Sequence, residues 1–324
     1  MSALSARSRG SEAAAWILGI REASVALMLV LVALYLSFAS SYFLEPRNLL
    51  NVGRQASVVG TVALGEALVI IARGIDLSVG SVIGLSAVTG ALVAQATGWQ
   101  GASIPVAIGT GLVCGLVNGL LFTRLRINPF ITTLGTLSIA RGIALLLTGG
   151  LPVMVQGWPE FLGSGRIATV PVSLILMLVL AVVFYVLSTR TRTGREIFAI
   201  GDNPKASMLA GIDLKRTRLL VFALSGTLAG LGGIVLAGNL ASADPNLGLG
   251  YELDVIAAVI LGGTSLSGGR GSIPGVVLGA VLMALLNNAF VLLGISAYWQ
   301  VVTKGVVIIL AVGLDSLRRE GDDE

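Results

Sequence analysis

The sequence predicts an all-α membrane protein with about ten transmembrane helices. Of its 324 residues, 55% are hydrophobic and only 12% charged, and the mean hydropathy is +0.93, more apolar surface than a water-soluble core can absorb. Apolar runs of about 20 residues recur along the chain, the length that crosses about 30 Å of hydrocarbon at about 1.5 Å per residue. The 43 glycines, with frequent Ala and Ser, suit helices whose backbones approach closely in lipid. Strands of a membrane β-barrel would instead alternate apolar and polar residues over about 10 positions.

Residues 1–22 read as a small, polar cytoplasmic tail, and residues 23–317 as the membrane domain. The first span, near residues 24–43, is followed by an outer link, LEPRNLLNVGRQ. The second, residues 56–72, ends in the Gly-punctuated break RGIDLSVGS, where Asp76 is placed to cap the third helix, residues 77–96. ATGWQGAS makes an uncharged outer turn before the fourth span, residues 104–122, which ends at Arg124 and Arg126. Asn128 and Pro129 start the fifth, which runs to about Thr148 and gives way to a Gly- and Pro-rich outer segment.

The sixth span, residues 172–187, leads into a long polar interval, and the seventh, residues 219–240, leads out of it. An outer loop, ASADPNLGLGYE, precedes a short eighth span at residues 253–266, and SGGRGS joins this to the ninth at residues 273–293. The tenth, residues 298–314, reaches Arg318 and Arg319 in a cytoplasmic tail, residues 318–324. With both termini inside, every basic cluster falls on the cytoplasmic side, as the positive-inside rule requires. A short echo between VGSVIG (79–84) and RGSIPG (270–275) suggests two interrupted helices in the two halves, where transporters tend to place their pathway.

The polar interval, residues 190–218, holds seven basic residues (Arg190, Arg192, Arg195, Lys205, Lys215, Arg216, Arg218) against three acidic ones (Glu196, Asp202, Asp213). Asp202 or Asn203 can serve as N-cap and Pro204 as first helical residue, so residues 205–210 read as a short helix ended by Gly211. A loop that only sets orientation needs charges at its ends. A capped central helix, with the small residues Ala206, Ala210 and Gly211 leaving room for a partner, suggests a docking surface.

Several polar residues fall within predicted spans. Glu66, Arg141 and Lys304 each carry a charge whose insertion costs about 2.5 to 3.5 kcal/mol, so they should face protein, a cavity or one another; a Glu66–Lys304 pair is one expectation. Asn118, Asn287 and Asn288 offer amides to a neighbouring helix or a hydroxylated solute. With Asp76 and Ser78 of the first break, these asparagines are the candidate pathway residues.

Other chemistries are excluded. The chain has no His and a single Cys, Cys114, so Ser-His-Asp catalysis, His-containing zinc sites and an intrachain disulfide are out. No GxxxxGK[ST] motif occurs, so no phosphate-cradling loop is present. The net charge of +4 is explained by orientation in the membrane and implies no nucleic acid.

Three motifs carry a resemblance: GIDLSVGS at 74–81, GREIFAIGDNPKASMLAGI in the polar interval, and GYELDVIAAVILGGTSLSGGRGS at 250–272. In this order they closely resemble the permease subunits of ATP-binding-cassette (ABC) sugar importers, the ribose permeases in particular, with branched-chain amino-acid permeases as more distant relatives. The resemblance spans the chain from the first span to the C-terminus. It implies a type II ABC importer permease fold in a bacterial plasma (inner) membrane, paired with a second copy or a close paralogue. It further implies a periplasmic or lipid-anchored sugar-binding protein outside, and an ABC ATPase inside, possibly a tandem cassette. ATP and magnesium would belong to that ATPase, and this chain would be no enzyme and hold no cofactor of its own. The helix at 203–211 then corresponds to the family's coupling helix, with Arg195, Glu196, Gly201 and Asp202 leading into Asn203, Pro204, Lys205, Ala206, Ser207 and Gly211.

Two departures from the family pattern stand out. Arg73 replaces the first glycine of a Gly-Gly pair before Ile-Asp-Leu-Ser, and Glu66 stands where an apolar or small residue is usual. The rival reading is an ion-coupled secondary transporter using Glu66 and Lys304; a membrane scaffold without transport is a third.

Overall fold

The computed structural model describes residues 21–320, so the expected N-terminal tail lies almost wholly outside the described residues and the C-terminal tail partly so. Long helices dominate: α1 (Arg21–Ala39), α2 (Pro46–Ile71), α3 (Val79–Thr97), α4 (Ser103–Arg124), α5 (Pro129–Thr148), α7 (Val172–Arg190), α10 (Leu214–Leu240), α12 (Ile273–Leu292) and α13 (Ala297–Glu320). Shorter ones connect them: α6 (Trp158–Ser164), α8 (Arg192–Asp202), α9 (Pro204–Leu209) and α11 (Tyr251–Leu261). Among the described residues, eight helices are long and apolar enough to cross a membrane, and the apolar part of α13 forms a shorter one. The few β residues form two-stranded ribbons: β1 (Val153–Met154) pairs with β4 (Ser242–Ala243), and β2 (Arg166–Ile167) with β3 (Val170–Pro171).

At the centre stands α2, whose residues from Ala56 to Ile71 are all buried. It packs against α10, α12, α7 and α11, so no side of its second half is left for lipid. The tightest pairing is α4 with α10. Gly111 and Gly115 on α4 face Gly226, Gly230 and the Phe222 carbonyl on α10, and a Cβ on any of these glycines would strike the opposite backbone. This is the close approach that small residues four apart permit in lipid.

Contacts sort the connections to two ends of the bundle. At one end the break at residues 72–78, the loop at 262–272 and helices α8 and α9 meet, with Gly269 N–H donating to the Ile71 carbonyl at 2.9 Å. The Ser272 hydroxyl donates to Glu22 Oε1 at 2.7 Å and brings the start of α1 there too. At the other end α6 packs beside α10, and Arg141 donates to the carbonyls of Pro245 and Leu247, the latter at 2.9 Å.

Four expectations need correction. The supposed outer link after α1 is mostly helix, because Pro46 occupies the first turn of α2 and its fixed φ suits that position. Its polar residues lower the local hydropathy, and two of them reach protein partners: the Asn48 and Asn288 amides bond reciprocally at 3.0 and 2.6 Å, and Arg54 donates to the Ser164 carbonyl at 3.3 Å. The eighth span is helical over only part of its length, and the loop at 262–272 completes the crossing to the end where α8 and α9 lie. Helix α11 has 11 residues, about 16 Å of rise, and stops at Gly262 and the left-handed Gly263 (φ 86°).

The sequence echo does not hold in register, since Ser272 is the N-cap of α12 whereas Ser81 lies inside α3. Asp76 does not cap α3 either. Ser78 holds the N-cap position, and the Asp76 carboxylate instead receives the Ser78 N–H at 3.0 Å in a turn before the helix.

Candidate functional site

The break between α2 and α3 descends into the protein, which is tolerated at membrane depth only where protein covers the freed backbone. Here it is covered: Asp76 and Ser78 are essentially fully buried. Gly74 permits the descent, since a Cβ there would lie 2.9 Å from Val69 and 3.3 Å from Phe222.

Around the break a polar knot draws on four helices. Glu66 Oε1 of α2 accepts the Asp76 N–H at 3.0 Å. Asp76 Oδ1 accepts from the Ser78 N–H and hydroxyl, and Oδ2 accepts from the Ser225 hydroxyl of α10 at 3.2 Å. Asn118 of α4 donates its amide to Ser78 Oγ at 2.9 Å and accepts from the Thr136 hydroxyl of α5. The Thr133 hydroxyl, also on α5, donates to the Ile75 carbonyl at 3.2 Å. Gly65 lets α10 come this close, since a Cβ there would sit 2.7 Å from Ser225 Cα.

Among the described residues neither carboxylate forms an ion pair. The knot is therefore held by neutral donors, and Glu66 Oε2 is buried without a partner. Apart from that one oxygen the network is paired, and buried networks of this kind fix one arrangement of the elements they join.

Directly beyond the break lies the second part of the site. Helix α8 starts at the Thr191 N-cap, whose hydroxyl accepts the Gly194 N–H at 3.1 Å, and buries Gly194, Ile197, Ile200 and Gly201. Gly201 is required, because a Cβ would run into the Ile71 carbonyl and the Gly269 N–H. After one extended residue, Asn203, helix α9 begins; the Asn203 side chain accepts the Ala206 N–H at 3.0 Å and Pro204 occupies the first turn. The helix stops at Ala210, and Gly211 takes a left-handed φ of 83°. Only Ser207 of α9 faces inward, while Met208 and Leu209 are 60% and 86% exposed. Two apolar side chains standing clear of the bundle, on a helix that also carries the exposed Lys205 and with Met208 beside Lys215, make a surface suited to a protein partner.

With this geometry in view, comparison with known proteins is decisive. Residues 48–312 match the family described as the permease component of the branched-chain amino acid transport system. The chain belongs to this permease family. Among curated relatives, the permease is 42% identical over 296 residues to the ribose import permease protein RbsC of Bacillus subtilis (strain 168), covering 89% of this chain and 90% of that protein. It is 38% identical over 314 residues to RbsC of Escherichia coli (strain K12), covering 94% of this chain and 96% of that protein. The galactose/methyl galactoside import permease protein MglC of the same strain is 37% identical over 324 residues, covering 92% of this chain and 95% of that protein. No solved structure matches the permease.

The residues singled out in the sequence distribute unevenly. Asp76, Ser78, Asn118 and Glu66 come together in the permease's knot. Asn287 and Asn288 lie apart from it on α12, Asn288 bonded to Asn48 and Asn287 beside the Asp254 carboxylate. The expected Glu66–Lys304 pair is not formed. Lys304 of α13 instead bonds Asp254 of α11 at 2.8 Å, with side chains 22% and 4% exposed, and Glu66 faces Asp76. Arg141 fastens α5 to the loop before α11. Within the polar interval Glu196 pairs with the exposed Arg192 at 2.7 Å, a surface contact of small energetic consequence.

Ser225, Thr133 and Thr136 were missed, although a hydroxyl inside an apolar run is a signal that could have found them. The role of Arg73 had no such signal. Its guanidinium donates to the Gly201 carbonyl at 2.6 Å and to the Asp202 carbonyl at 2.7 Å.

Proposed function

We propose that this permease forms the translocation pathway of an ABC importer for a monosaccharide of the ribose class, energised through α9 by a separate ATPase. The observation that carries this reading is α9 itself: a six-residue helix, capped at its start, exposing Met208 and Leu209, and following directly on α8, whose last residues abut the break that leads to the buried knot. ATP binding on the partner would displace α9 and shift the permease between inward-open and outward-open states. The solute would arrive from an external binding protein, and two permease copies or paralogues would enclose the path. The membrane is the bacterial plasma membrane, with α9 and both termini in the cytoplasm by the basic residues gathered at that end. ATP and magnesium reside on the ATPase. The relatives' names, ribose and galactose/methyl galactoside import permeases, support a sugar.

The ion-coupled alternative rested on Glu66 acting with Lys304, and those residues have different partners. Replacing residues 203–211 by a Gly-Ser linker tests the proposal. Loss of the co-purifying ATPase and of uptake, with the permease still folded in the membrane, is the expected result; undiminished uptake would refute it.

A further inference from the structure

Arg73 occupies a position that its own backbone disfavours. It has a φ of 63°, the left-handed region where a residue with a Cβ is strained unless its surroundings hold it. A glycine would fit there without strain, so closing the turn does not call for an arginine. What the arginine adds is reach.

Its main chain belongs to the end of α2, donating to the Ile70 carbonyl at 2.9 Å, and Asp76 of the knot follows three residues later. Its side chain belongs to α8, where Nε and Nη2 bond the carbonyls of Gly201 and Asp202. Those are the last two residues of α8, and a cation there complements the free carbonyls of a helix C-terminus. The next residue, Asn203, is the N-cap of α9. The junction is tight: a Cβ on Gly268 would meet the Arg73 side chain, and one on Gly269 would lie 2.8 Å from the Asp202 backbone.

We propose that Arg73 is the positioning residue through which movement of α9 reaches the buried knot. When α9 shifts, the carbonyls of Gly201 and Asp202 carry the guanidinium with them. The segment from Arg73 to Asp76 follows, loosening or tightening the hold of Asp76 on Glu66, Ser78 and Ser225. This rests on the reading of α9 as the docking element, and it assigns to one side chain the link between the docking surface and the break.

Hydrogen–deuterium exchange on the permease in lipid nanodiscs tests it, comparing wild type with Arg73→Gly and Arg73→Lys. Two hydrogen bonds from a charged donor correspond to a factor of about ten or more in a local opening equilibrium. In the chain alone, Arg73→Gly is expected to speed exchange at residues 74–78 and 201–207 by at least that factor. Arg73→Lys, able to reach one carbonyl, should fall between, and it stands in if the glycine variant does not accumulate. With the ATPase bound, adding nucleotide should alter exchange at 74–78 in wild type but not in Arg73→Gly, while protection of α9 persists in both. Unchanged exchange at 74–78 in the variant alone, or a full nucleotide response there without Arg73, would overturn the proposal. Failure of the ATPase to protect α9 in wild type would overturn the docking reading and the transmitted movement with it, and the chain-alone comparison would still decide whether Arg73 joins the two segments.

Discussion

Substituting Lys304 by Met separates a structural ion pair from a transport residue. The Lys304–Asp254 contact is 2.8 Å long, and the Asp254 side chain is only 4% exposed, so the methionine keeps the bulk of the lysine stem but strands a carboxylate away from water. Removing one partner of a buried pair costs about 3 to 5 kcal/mol, and the partial exposure of Lys304 draws the expectation to about 3 kcal/mol. The loss would fall on the attachment of α13, since α11 is the element α13 packs against most. Adding Asp254→Asn removes the stranded charge and should recover about 2 kcal/mol of it, so the double variant is more stable than Lys304→Met alone. Unfolding midpoints for the four members of this cycle, measured in one detergent beside uptake of radiolabelled sugar, are the assay. A Lys304→Met permease with wild-type stability but no uptake would refute the reasoning and return Lys304 to the translocation step.

Two further substitutions test the site. Gly201→Ala drives a Cβ into the Ile71 carbonyl and the Gly269 N–H, and because backbone cannot swing aside, a loss of about 2 to 3 kcal/mol is expected, read as a lower thermal midpoint; an unaltered midpoint would mean α8 is not seated against α2. Asn118→Leu leaves the Thr136 hydroxyl without this acceptor and removes the amide donated to Ser78 Oγ, which still bonds Asp76, a cost of about 1 to 3 kcal/mol. Asn118→Ser should be milder, and equal stability of both variants would show that the knot is not closed through this amide.

Much of the docking surface was legible because its signals are local. Asn203 and Pro204 in sequence state an N-cap and a first turn, and Gly211 states a stop; the observed helix Pro204–Leu209 differs from the expected one by a residue at each end. The long helices were legible for a similar reason, since a bilayer demands continuous apolar length. What could not be read depends on how helices are rotated against one another. The second half of α2 is buried on every side, so it carries no polar stripe to say which helix Glu66 faces, and the pairing with Lys304 was one choice among several.

Helix α8 was hidden inside a charged interval, where Gly194 and Gly201 look like loop residues. They are glycines because the Leu187 and Ile71 carbonyls press against them. Helix α11 was overextended because hydropathy continues into Leu266 after the backbone has already turned at Gly262 and Gly263. The reach of Arg73 lies beyond sequence reasoning altogether, since its partners are carbonyls on another segment, and every residue has a carbonyl.

An importer of this kind is defined by where the energy for transport enters. Proteoliposomes containing the permease, its ATPase and its binding protein can be loaded with ATP or given an ion gradient, and sugar uptake followed in each. Uptake that requires ATP, survives collapse of the ion gradient and vanishes when the permease is reconstituted alone is the expected outcome. Uptake by the permease alone, driven by a proton or sodium gradient, would contradict it.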